Sequence, residues 1–283
     1  MYQKQDLFTG KFSDPVADTI RILQENEPPE GYYLAYSGGK DSIALKWCAD
    51  QAGVKYDAHY KITTVDPPEL IYHMREYAPD VSQDRGEWSM WNLILHKKMP
   101  PTRNARYCCS CQKESSSGGR ILLTGIRWAE SPKRAKRAII ENDIRAHIAN
   151  EKKSRLIINP IAPWADADVW GLIRQKRLPY PALYDQGFKR LGCVLCPLVS
   201  NAHRQMEEKR WPKIAAMYRW TFNKLYEIYG REHFALSRTW KSGDAIYEWY
   251  MGRLKLSPEQ QYYLDLFEME NFGDEDDTFY EAG

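Results

Sequence analysis

The sequence lacks the features that would place the protein at a membrane or on a secretory route. No run of about 18 apolar residues occurs in the chain, so no segment is expected to span a bilayer. The first residues, MYQKQDLFTGKFSDP, contain no apolar core of the kind that a secretory signal requires. Charge of one sign is not in excess, because 40 Lys and Arg face 38 Asp and Glu, so no overall basic field favours nucleic acid. We therefore expect a cytoplasmic protein with no membrane partner.

Cysteine is scarce, but it is clustered. Of the six cysteines, three lie in RYCCSCQKE and two in GCVLCP. In a reducing compartment such groups indicate metal or redox chemistry rather than structural disulfides. A C-x-x-C pair lets two thiolates reach one metal centre, and the two distant groups can meet only through the fold. Cys48, on the apolar face of a predicted helix, is expected in the core.

Short apolar segments alternate with helical patterns in the first two thirds of the chain. Strands are predicted at 32–36, 56–65, 119–127 and 155–161, and helices at 15–25, 41–53, 67–79 and 87–98, with irregular chain in the rest of 80–105. From Asp166 onward the pattern is helical, and the aromatic helices near the end are expected to pack internally rather than to form a partner surface. This alternation indicates an α/β fold: an open, mostly parallel twisted sheet with helices on both faces, followed by a C-terminal helical extension.

The first predicted strand runs directly into Ser37-Gly38-Gly39-Lys40-Asp41-Ser42 and then into a helix. Unpaired backbone N–H groups at a helix start, together with the helix dipole, attract anions. The two glycines let the backbone approach phosphate oxygens without a clashing Cβ, the serines can donate hydrogen bonds, and Lys40 adds a positive charge. Asp41 is expected to cap the helix. The pattern predicts a phosphate site at the carboxyl end of the sheet, without the spacing of a Walker A loop.

Four segments resemble known enzymes. The loop SGGKDS resembles the PP-loop of the ATP-pyrophosphatase superfamily, which grips the pyrophosphate of ATP. The segments TTVDPPEL (63–70), LLTGIRWAESPKRAKR (122–137) and NPIAPWADADVWGLIRQKRLPYPALYDQGFKRLGCVLCPL (159–198) resemble the phosphoadenosine-phosphosulfate (PAPS) reductase family. The resemblance implies an adenine nucleotide alpha-hydrolase-like fold. It divides the chain into an extension (1–30), a nucleotide-binding domain (31–200), a helical extension (201–270) and an acidic, frayed tail (271–283).

The resemblance also implies a set of nucleotide contacts. These are Ser37, Gly38, Gly39, Lys40, Asp41, Ser42, Asp66, Gly125, Arg127 and Arg134. Arg127 and Arg134 would present guanidinium groups to phosphate or sulfate, and Mg²⁺ would bridge the phosphates of ATP with Asp41 as a candidate ligand. Asp66 is a weaker candidate, for the metal or for the ribose. Alternatively, Arg134 belongs to a solvated basic helix. Its segment, 133–155, holds eight Lys and Arg against three Asp and Glu, which would also suit a nucleic-acid acceptor.

A tandem Cys-Cys, a following lysine and a distant C-x-x-C resemble the iron–sulfur branch of the sulfonucleotide reductases. The resemblance implies a four-iron–four-sulfur (4Fe-4S) cluster on Cys108, Cys109, Cys193 and Cys196. It also places Lys113 near substrate and cluster. Cys111 has no counterpart and could replace Cys108 as a ligand. Zinc is the alternative metal, because four thiolates also suit a tetrahedral zinc site.

Two departures point away from sulfonucleotide reduction. The loop is intact where that of the reductases is degenerate, and no cysteine follows Cys196 to match their mobile nucleophile. The chain resembles more closely the DNA phosphorothioation and tRNA thiolation enzymes. We therefore expect an enzyme that cleaves ATP to AMP and pyrophosphate and couples adenylation to sulfur transfer, with a sulfur donor or reductant protein as partner. The expected catalytic residues are Lys40, Asp41, Lys113 and Arg127.

Two alternatives stay open. One is a sulfonucleotide reductase that releases sulfite from an adenylyl-sulfate nucleotide. The other is a non-catalytic subunit that binds nucleotide and cluster for a partner.

Overall fold

The computed structural model describes residues 4–5, 12–113, 117, 119–143, 147–148, 151–152 and 155–272. The strands are β1 (Lys4–Gln5), β2 (Phe12–Ser13), β3 (Tyr32–Ala35), β4 (Tyr56–Ile62), β5 (Ser82–Arg85), β6 (Leu122–Leu123), β7 (Ile140–Asp143), β8 (His147–Ile148), β9 (Glu151–Lys152) and β10 (Arg155–Ile158). The α-helices are α1 (Pro15–Glu25), α2 (Lys40–Ala52), α3 (Pro68–Tyr77), α4 (Met90–Lys97), α5 (Tyr107–Gln112), α6 (Asp166–Lys176), α7 (Asn201–Arg210), α8 (Pro212–Tyr229), α9 (Phe234–Thr239), α10 (Gly243–Tyr250) and α11 (Pro258–Phe272). Most of the predicted acidic tail and part of the basic segment 133–155 lie outside the described residues.

The main sheet has six strands in the order β5-β4-β3-β6-β10-β7. Its neighbouring strands are parallel, except that β7 runs antiparallel to β10 at the edge. The predicted open, mostly parallel sheet is therefore confirmed. The two remaining strand pairs, β1 with β2 and β8 with β9, are short antiparallel hairpins apart from it.

The helices of the α/β part begin and end close to their predicted bounds because their end signals are local. Helix α1 starts with a proline after Asp14, whose carboxylate accepts the N–H groups of Val16 and Ala17 at 3.0 and 3.2 Å. Helix α2 ends at Gly53, which adopts a left-handed conformation with φ of +68°. The predicted strand 119–127 is shorter than expected: β6 comprises Leu122–Leu123, and beside it only Ile121 and Thr124 make further backbone hydrogen bonds to β3 and β10 among the described residues.

The aromatic residues of the C-terminal helices form part of the core. Tyr218 and Phe222 on α8 pack against Tyr250 on α10, with ring centroids 5.6 and 5.1 Å from that of Tyr250. Trp91 on α4 meets the Tyr218 ring edge-on at 5.1 Å. The expected internal packing of these helices is therefore confirmed. Among the described helices, none combines the length and the apolar character needed to cross a bilayer.

Candidate active site

The loop between β3 and α2 requires glycine at its tightest point. Gly38 has φ of +74°, a left-handed conformation that side chains rarely adopt. A Cβ on Gly38 would lie 2.8 Å from both Leu70 Cδ1 and Met74 Sδ of α3. The loop backbone therefore sits directly on α3. Gly125 is also close-packed, since its Cβ would lie 3.4 Å from the backbone of Asp41 and Ser42.

The N-cap residue of α2 supplies no side-chain cap to the first turn of the helix. Its N-cap is Gly39, which has no side-chain capping bond, so the prediction that Asp41 caps the helix is wrong. Asp41 lies inside the first turn, where its carboxylate binds other side chains. Ser42 Oγ donates to the Gly39 carbonyl at 2.9 Å, and the Lys40 N–H donates to the Tyr184 hydroxyl at 3.0 Å. The remaining first-turn N–H groups have no acceptor within the helix.

Two cations and two carboxylates meet beneath this helix start. Lys40 Nζ lies 3.0 Å from Asp41 Oδ2 and 3.1 Å from Asp166 Oδ1. Arg127 Nε lies 2.5 Å from Asp41 Oδ1, and Arg127 Nη2 lies 3.1 Å from Asp166 Oδ1. Lys40, Asp41 and Arg127 are buried, whereas the Asp166 side chain is 62% exposed. The structure thus brings three predicted residues together and adds Asp166, which the sequence did not single out.

The same contacts set the proton affinities around the loop. Burial alone would raise the pKa of Asp166, but its hydrogen bonds to Lys40 and Arg127 and their charges outweigh burial and lower it. Burial raises the pKa of the Tyr184 hydroxyl. Tyr184 therefore stays a neutral partner of the loop. Tyr184 lies in the segment 159–198, and nothing in the sequence of that segment predicts its contact with the Lys40 N–H.

A cleft opens beside the loop at the carboxyl ends of the strands. Its empty volume, including the part open to solvent, is about 1030 Å³. Predicted residues in its wall are Ser37, Asp41, Ser42, Asp66, Lys113, Gly125 and Arg134. Lys40 and Arg127 are not part of this wall, because they face the two carboxylates beneath the helix start.

Arg134 is buried in the cleft wall and does not belong to a solvated basic helix. It lies in a 3₁₀ turn at Arg134–Lys136, and its Nη1 lies 2.5 Å from Glu130 Oε2. Its buried Nη2 has no hydrogen-bond partner among the described residues. An unpaired guanidinium nitrogen in the wall of a cleft is suited to an anion.

Asp66 and Asp41 differ as candidates for a magnesium ligand. Both oxygens of Asp41 contact cations, since Lys40 and Arg127 share them. Asp41 and Asp66 both line the cleft, but the oxygens of Asp66 accept neutral hydrogen bonds, from the N–H and hydroxyl of Thr63, each at 2.8 Å. The structure therefore favours Asp66 over Asp41 as a group that could meet the metal of a nucleotide.

The cysteines predicted as ligands line a second, smaller cavity next to the cleft. Its empty volume is about 380 Å³, and its wall includes Cys108, Cys109, Cys193 and Cys196. Cys111 is exposed on α5 and is not in this wall, so the structure favours Cys108 over Cys111 as the fourth thiol. Lys113 lines both the cavity and the cleft. In the part of the chain that the structure describes, no three His, Cys, Asp or Glu side chains stand in a metal-holding arrangement.

The four thiols differ in the direction in which their surroundings shift their pKa. Cys109 has its pKa lowered to about 5, because the Cys108 thiol donates a hydrogen bond to it and Lys113 and Arg106 add positive charge. The hydrogen bond to Cys109 and burial raise the pKa of Cys108. Burial raises the pKa of Cys193 and that of Cys196, the latter to about 12. Although burial opposes its charge, Lys113 has its pKa raised by Cys193, Cys109 and Asp66.

A glycine-rich loop between a parallel strand and an uncapped helix, open to a cleft at the strand ends, defines an α/β protein of the nucleotide-binding class. Comparison with known proteins identifies the family: the chain belongs to the phosphoadenosine phosphosulfate reductase domain family, whose model matches residues 31–199. The iron–sulfur branch is not decided by this match. Helices α7 to α11 lie beyond the matched residues.

Several relatives and solved structures are similar to the chain. The uncharacterized protein MJ0066 of Methanocaldococcus jannaschii is 27% identical over 195 residues, which are 64% of this chain and 39% of that protein. The adenosine 5'-phosphosulfate reductase of Allochromatium vinosum is 32% identical over 143 residues, which are 49% of this chain and 52% of the reductase. The crystal structure of PAPS reductase from Candida auris has a TM-score of 0.47 at 19% identity and covers 64% of this chain and 88% of that one. The chain spans about half or less of the length of these two relatives.

Proposed function

We propose that the protein cleaves ATP to AMP and pyrophosphate, adenylates an acceptor oxygen and exchanges that oxygen for sulfur. The loop 37–42 carries the proposal: Gly38 packs tightly against α3, and Ser37, Asp41 and Ser42 line a cleft whose empty volume, including the part open to solvent, is about 1030 Å³. Relatives named adenosine 5'-phosphosulfate reductase support an adenine nucleotide as the ligand.

The first step is a displacement at the α-phosphorus of magnesium-bound ATP. The acceptor oxygen forms a bond to this phosphorus, and the bond to the bridging oxygen breaks, so that pyrophosphate leaves with the electron pair. The first-turn N–H groups of α2 and the unpaired Nη2 of Arg134 would stabilise the charge on pyrophosphate. Lys40 would exchange the exposed Asp166 carboxylate for a phosphate oxygen, while Arg127 keeps Asp41 in place.

The second step replaces the activated oxygen. A sulfur atom at the oxidation level of hydrosulfide forms a bond to the atom that carries the adenylated oxygen. The bond from that atom to the oxygen breaks, and AMP leaves with the oxygen. No oxidation state changes, so this route needs a sulfur donor and no reductant. The acceptor class stays a prediction; the basic segment 133–155 would suit a nucleic acid, although only part of it is described.

The thiols of the cavity cysteines are suitable donor groups for a metal ion or cluster. Four thiols line one small cavity, and the Cys108 hydrogen bond and the charges of Lys113 and Arg106 lower the pKa of Cys109 there. Thiolates suit an iron–sulfur cluster or zinc, and we infer that Cys108, Cys109, Cys193 and Cys196 hold a 4Fe-4S cluster, with zinc as the alternative. When bound, a cluster would supply a sulfur-binding or electrostatic centre beside the cleft. Lys113 would place its positive charge between the cavity and the nucleotide.

The test is ATP-dependent release of pyrophosphate and AMP by anaerobically purified protein, with and without sulfide and with RNA or DNA as acceptor. Lys40→Ala is expected to lower turnover at least about 100-fold, a typical loss for an electrostatic contact to the reacting group. Lys46→Ala is the matched control on the same helix, because Lys46 Nζ binds Asp80 at 2.8 Å, away from the cleft wall. Tight nucleotide binding without turnover under all conditions would contradict an enzymatic role.

A second candidate is a sulfonucleotide reductase, favoured by the relatives that carry this name. In that case adenylyl sulfate and a dithiol reductant would give sulfite and AMP. ATP would then give no pyrophosphate. Release of pyrophosphate from ATP therefore supports the first candidate, and release of sulfite from adenylyl sulfate supports the second.

A further inference from the structure

The turn that carries Cys193 and Cys196 contains a backbone conformation that its sequence does not favour. Leu195, between the two cysteines, has φ of +59° and is fully buried. A left-handed conformation is unfavourable for a residue with a Cβ. Both cysteines line the cavity, so the conformation of this turn determines where two of the four thiols point. Contacts from outside the turn must hold it.

Both backbone polar groups of Leu195 bind to the C-terminal helices. The Leu195 N–H donates to Glu207 Oε2 on α7 at 2.7 Å, and the Leu195 carbonyl accepts the Tyr250 hydroxyl of α10 at 2.7 Å. Both bonds are buried. The Val194 N–H donates to the Val65 carbonyl at 2.8 Å and connects the turn to the segment after β4. Glu207 and Tyr250 lie beyond residues 31–199, the part that matches the family.

The two partners are themselves held in place. Glu207 is buried, and its Oε1 lies 3.2 Å from His203 Nε2. The Tyr250 ring stacks on Tyr218 and lies 5.4 Å from the Arg204 guanidinium. The carboxylate and the hydroxyl therefore have little freedom to move, and they hold the turn from one side while Val65 holds it from the other.

We propose that Glu207 and Tyr250 are positioning residues that hold the Cys193–Cys196 turn in its metal-binding conformation. The inference rests on the proposed function of the four cysteines as metal ligands. Contacts that orient metal ligands typically change metal affinity 10- to 100-fold when they are removed. The C-terminal helices thereby contribute to the cysteine site although they supply none of its thiols.

The experiment measures metal retention in the full chain. Iron, acid-labile sulfide and zinc are counted per chain after anaerobic purification, and the rate of metal loss to excess chelator is followed. Glu207→Leu leaves the Leu195 N–H without its acceptor, and Tyr250→Phe removes the hydroxyl donor. Glu207→Gln keeps an oxygen acceptor. Matched controls are Glu208→Leu and Tyr247→Phe, because the Tyr247 hydroxyl donates to Glu208 Oε1 at 2.7 Å on the same two helices, away from the turn.

We expect metal loss to be at least about 10-fold faster in Glu207→Leu and Tyr250→Phe than in the wild type. Glu207→Gln and both controls are expected to stay within about threefold of the wild type. Rescue by glutamine separates a role of the acceptor oxygen from general damage to the fold. If Glu207→Leu does not fold, Tyr250→Phe carries the test, since it deletes a single oxygen.

Two results would overturn the inference, and they differ. A wild-type chain that retains neither iron nor zinc overturns the proposed metal site and the inference with it. A wild-type chain that retains metal, with Glu207→Leu and Tyr250→Phe losing it no faster than the controls, overturns the inference alone.

Discussion

Arg127 Nε lies 2.5 Å from Asp41 Oδ1, and both side chains are buried. This pair joins the segment after β6 to the first turn of α2. Asp41 follows Lys40 directly in that turn, so Arg127 fixes the helix start on which the proposed nucleotide site depends. The Arg127 side chain also donates to the Trp164 carbonyl at 3.3 Å and to Asp166 at 3.1 Å. Its interactions are therefore with the protein itself.

Replacing Arg127 by alanine should destabilise the protein strongly. Asp41 would then be buried with Lys40 as its remaining cation, and breaking a buried ion pair typically costs about 3–5 kcal/mol. The free energy of unfolding, measured by urea denaturation, should fall by this amount. Arg21→Ala is the control, because Arg21 and Asp18 form a pair with side chains 63% and 51% exposed. It should change stability by less than about 1 kcal/mol. Equal losses in the two variants would show that the Arg127 pair adds nothing specific.

The crowding of Gly38 can be separated from its backbone conformation. Gly38 and Gly53 both have positive φ, +74° and +68°, but a Cβ on Gly53 would meet nothing within 4 Å. Gly53→Ala should therefore lower the free energy of unfolding only by the cost of placing alanine in a left-handed conformation, about 1–2 kcal/mol. Gly38→Ala should cost clearly more, because Leu70 and Met74 must move. It should also weaken ATP binding, measured by calorimetry, at least about tenfold, while Gly53→Ala leaves binding unchanged. Indistinguishable variants would mean that the loop does not rely on close packing against α3.

The loop and most elements of the α/β part could be predicted because their signals are local. Glycines, an apolar strand and helix end residues occur next to one another in the sequence. Several elements were missed because they carry no such local signal, among them the edge strands β5 and β7 and helix α5. Strand β5, with sequence SQDR, carries no apolar residue because it lies at the sheet edge and is largely exposed. Helix α5 has only six residues, too few for a helical pattern to be visible.

The partners within the site could not be predicted, because they depend on contacts between distant segments. Tyr184 meets the Lys40 N–H 144 residues away in the chain, and Thr63 lies 3.4 Å from Cys193 across 130 residues. The four cysteines that the resemblance named line one cavity. The resemblance did not reveal that Arg127 faces Asp41 and Asp166 rather than the cleft.

The exposed position of Cys111 leads to a prediction about the metal site. Cys108 lines the cavity, whereas Cys111 on the same helix does not. Cys111→Ser should therefore keep the metal content of anaerobically purified protein within about 20% of the wild type. Cys108→Ser should lose most of the bound iron or zinc, since a structural site seldom keeps its metal without one of four ligands. Iron, sulfide and zinc per chain are the measurement. The reverse result would make Cys109 and Cys111 the chelating pair.

Asp84 on the edge strand β5, which binds Lys61 and His59 of the cleft wall, should make stability depend on acid pH. Its Oδ2 lies 2.9 Å from Lys61 Nζ and 3.0 Å from His59 Nδ1, and His59 stacks on Tyr33 with ring centroids 4.2 Å apart. Burial by itself would raise the pKa of Asp84, but the hydrogen bonds and charges of Lys61 and His59 outweigh burial and lower it.

Because the pKa of Asp84 is lower in the folded state, the unfolded chain takes up a proton on Asp84 at a higher pH than the folded chain does. The stabilisation is therefore complete above the unfolded pKa of about 3.9 and is lost as the pH falls through the lower folded value. Asp84→Asn should lower the free energy of unfolding by about 1 kcal/mol at pH 5 to 6, and its gap to the wild type should narrow as the pH falls below the unfolded pKa of about 3.9. Urea denaturation across this range is the measurement. In a Lys61→Met background the gap at pH 5 to 6 should shrink, because Lys61 supplies much of the lowering. A gap of constant size from pH 6 to pH 3 would show that Asp84 acts through packing rather than through its charge.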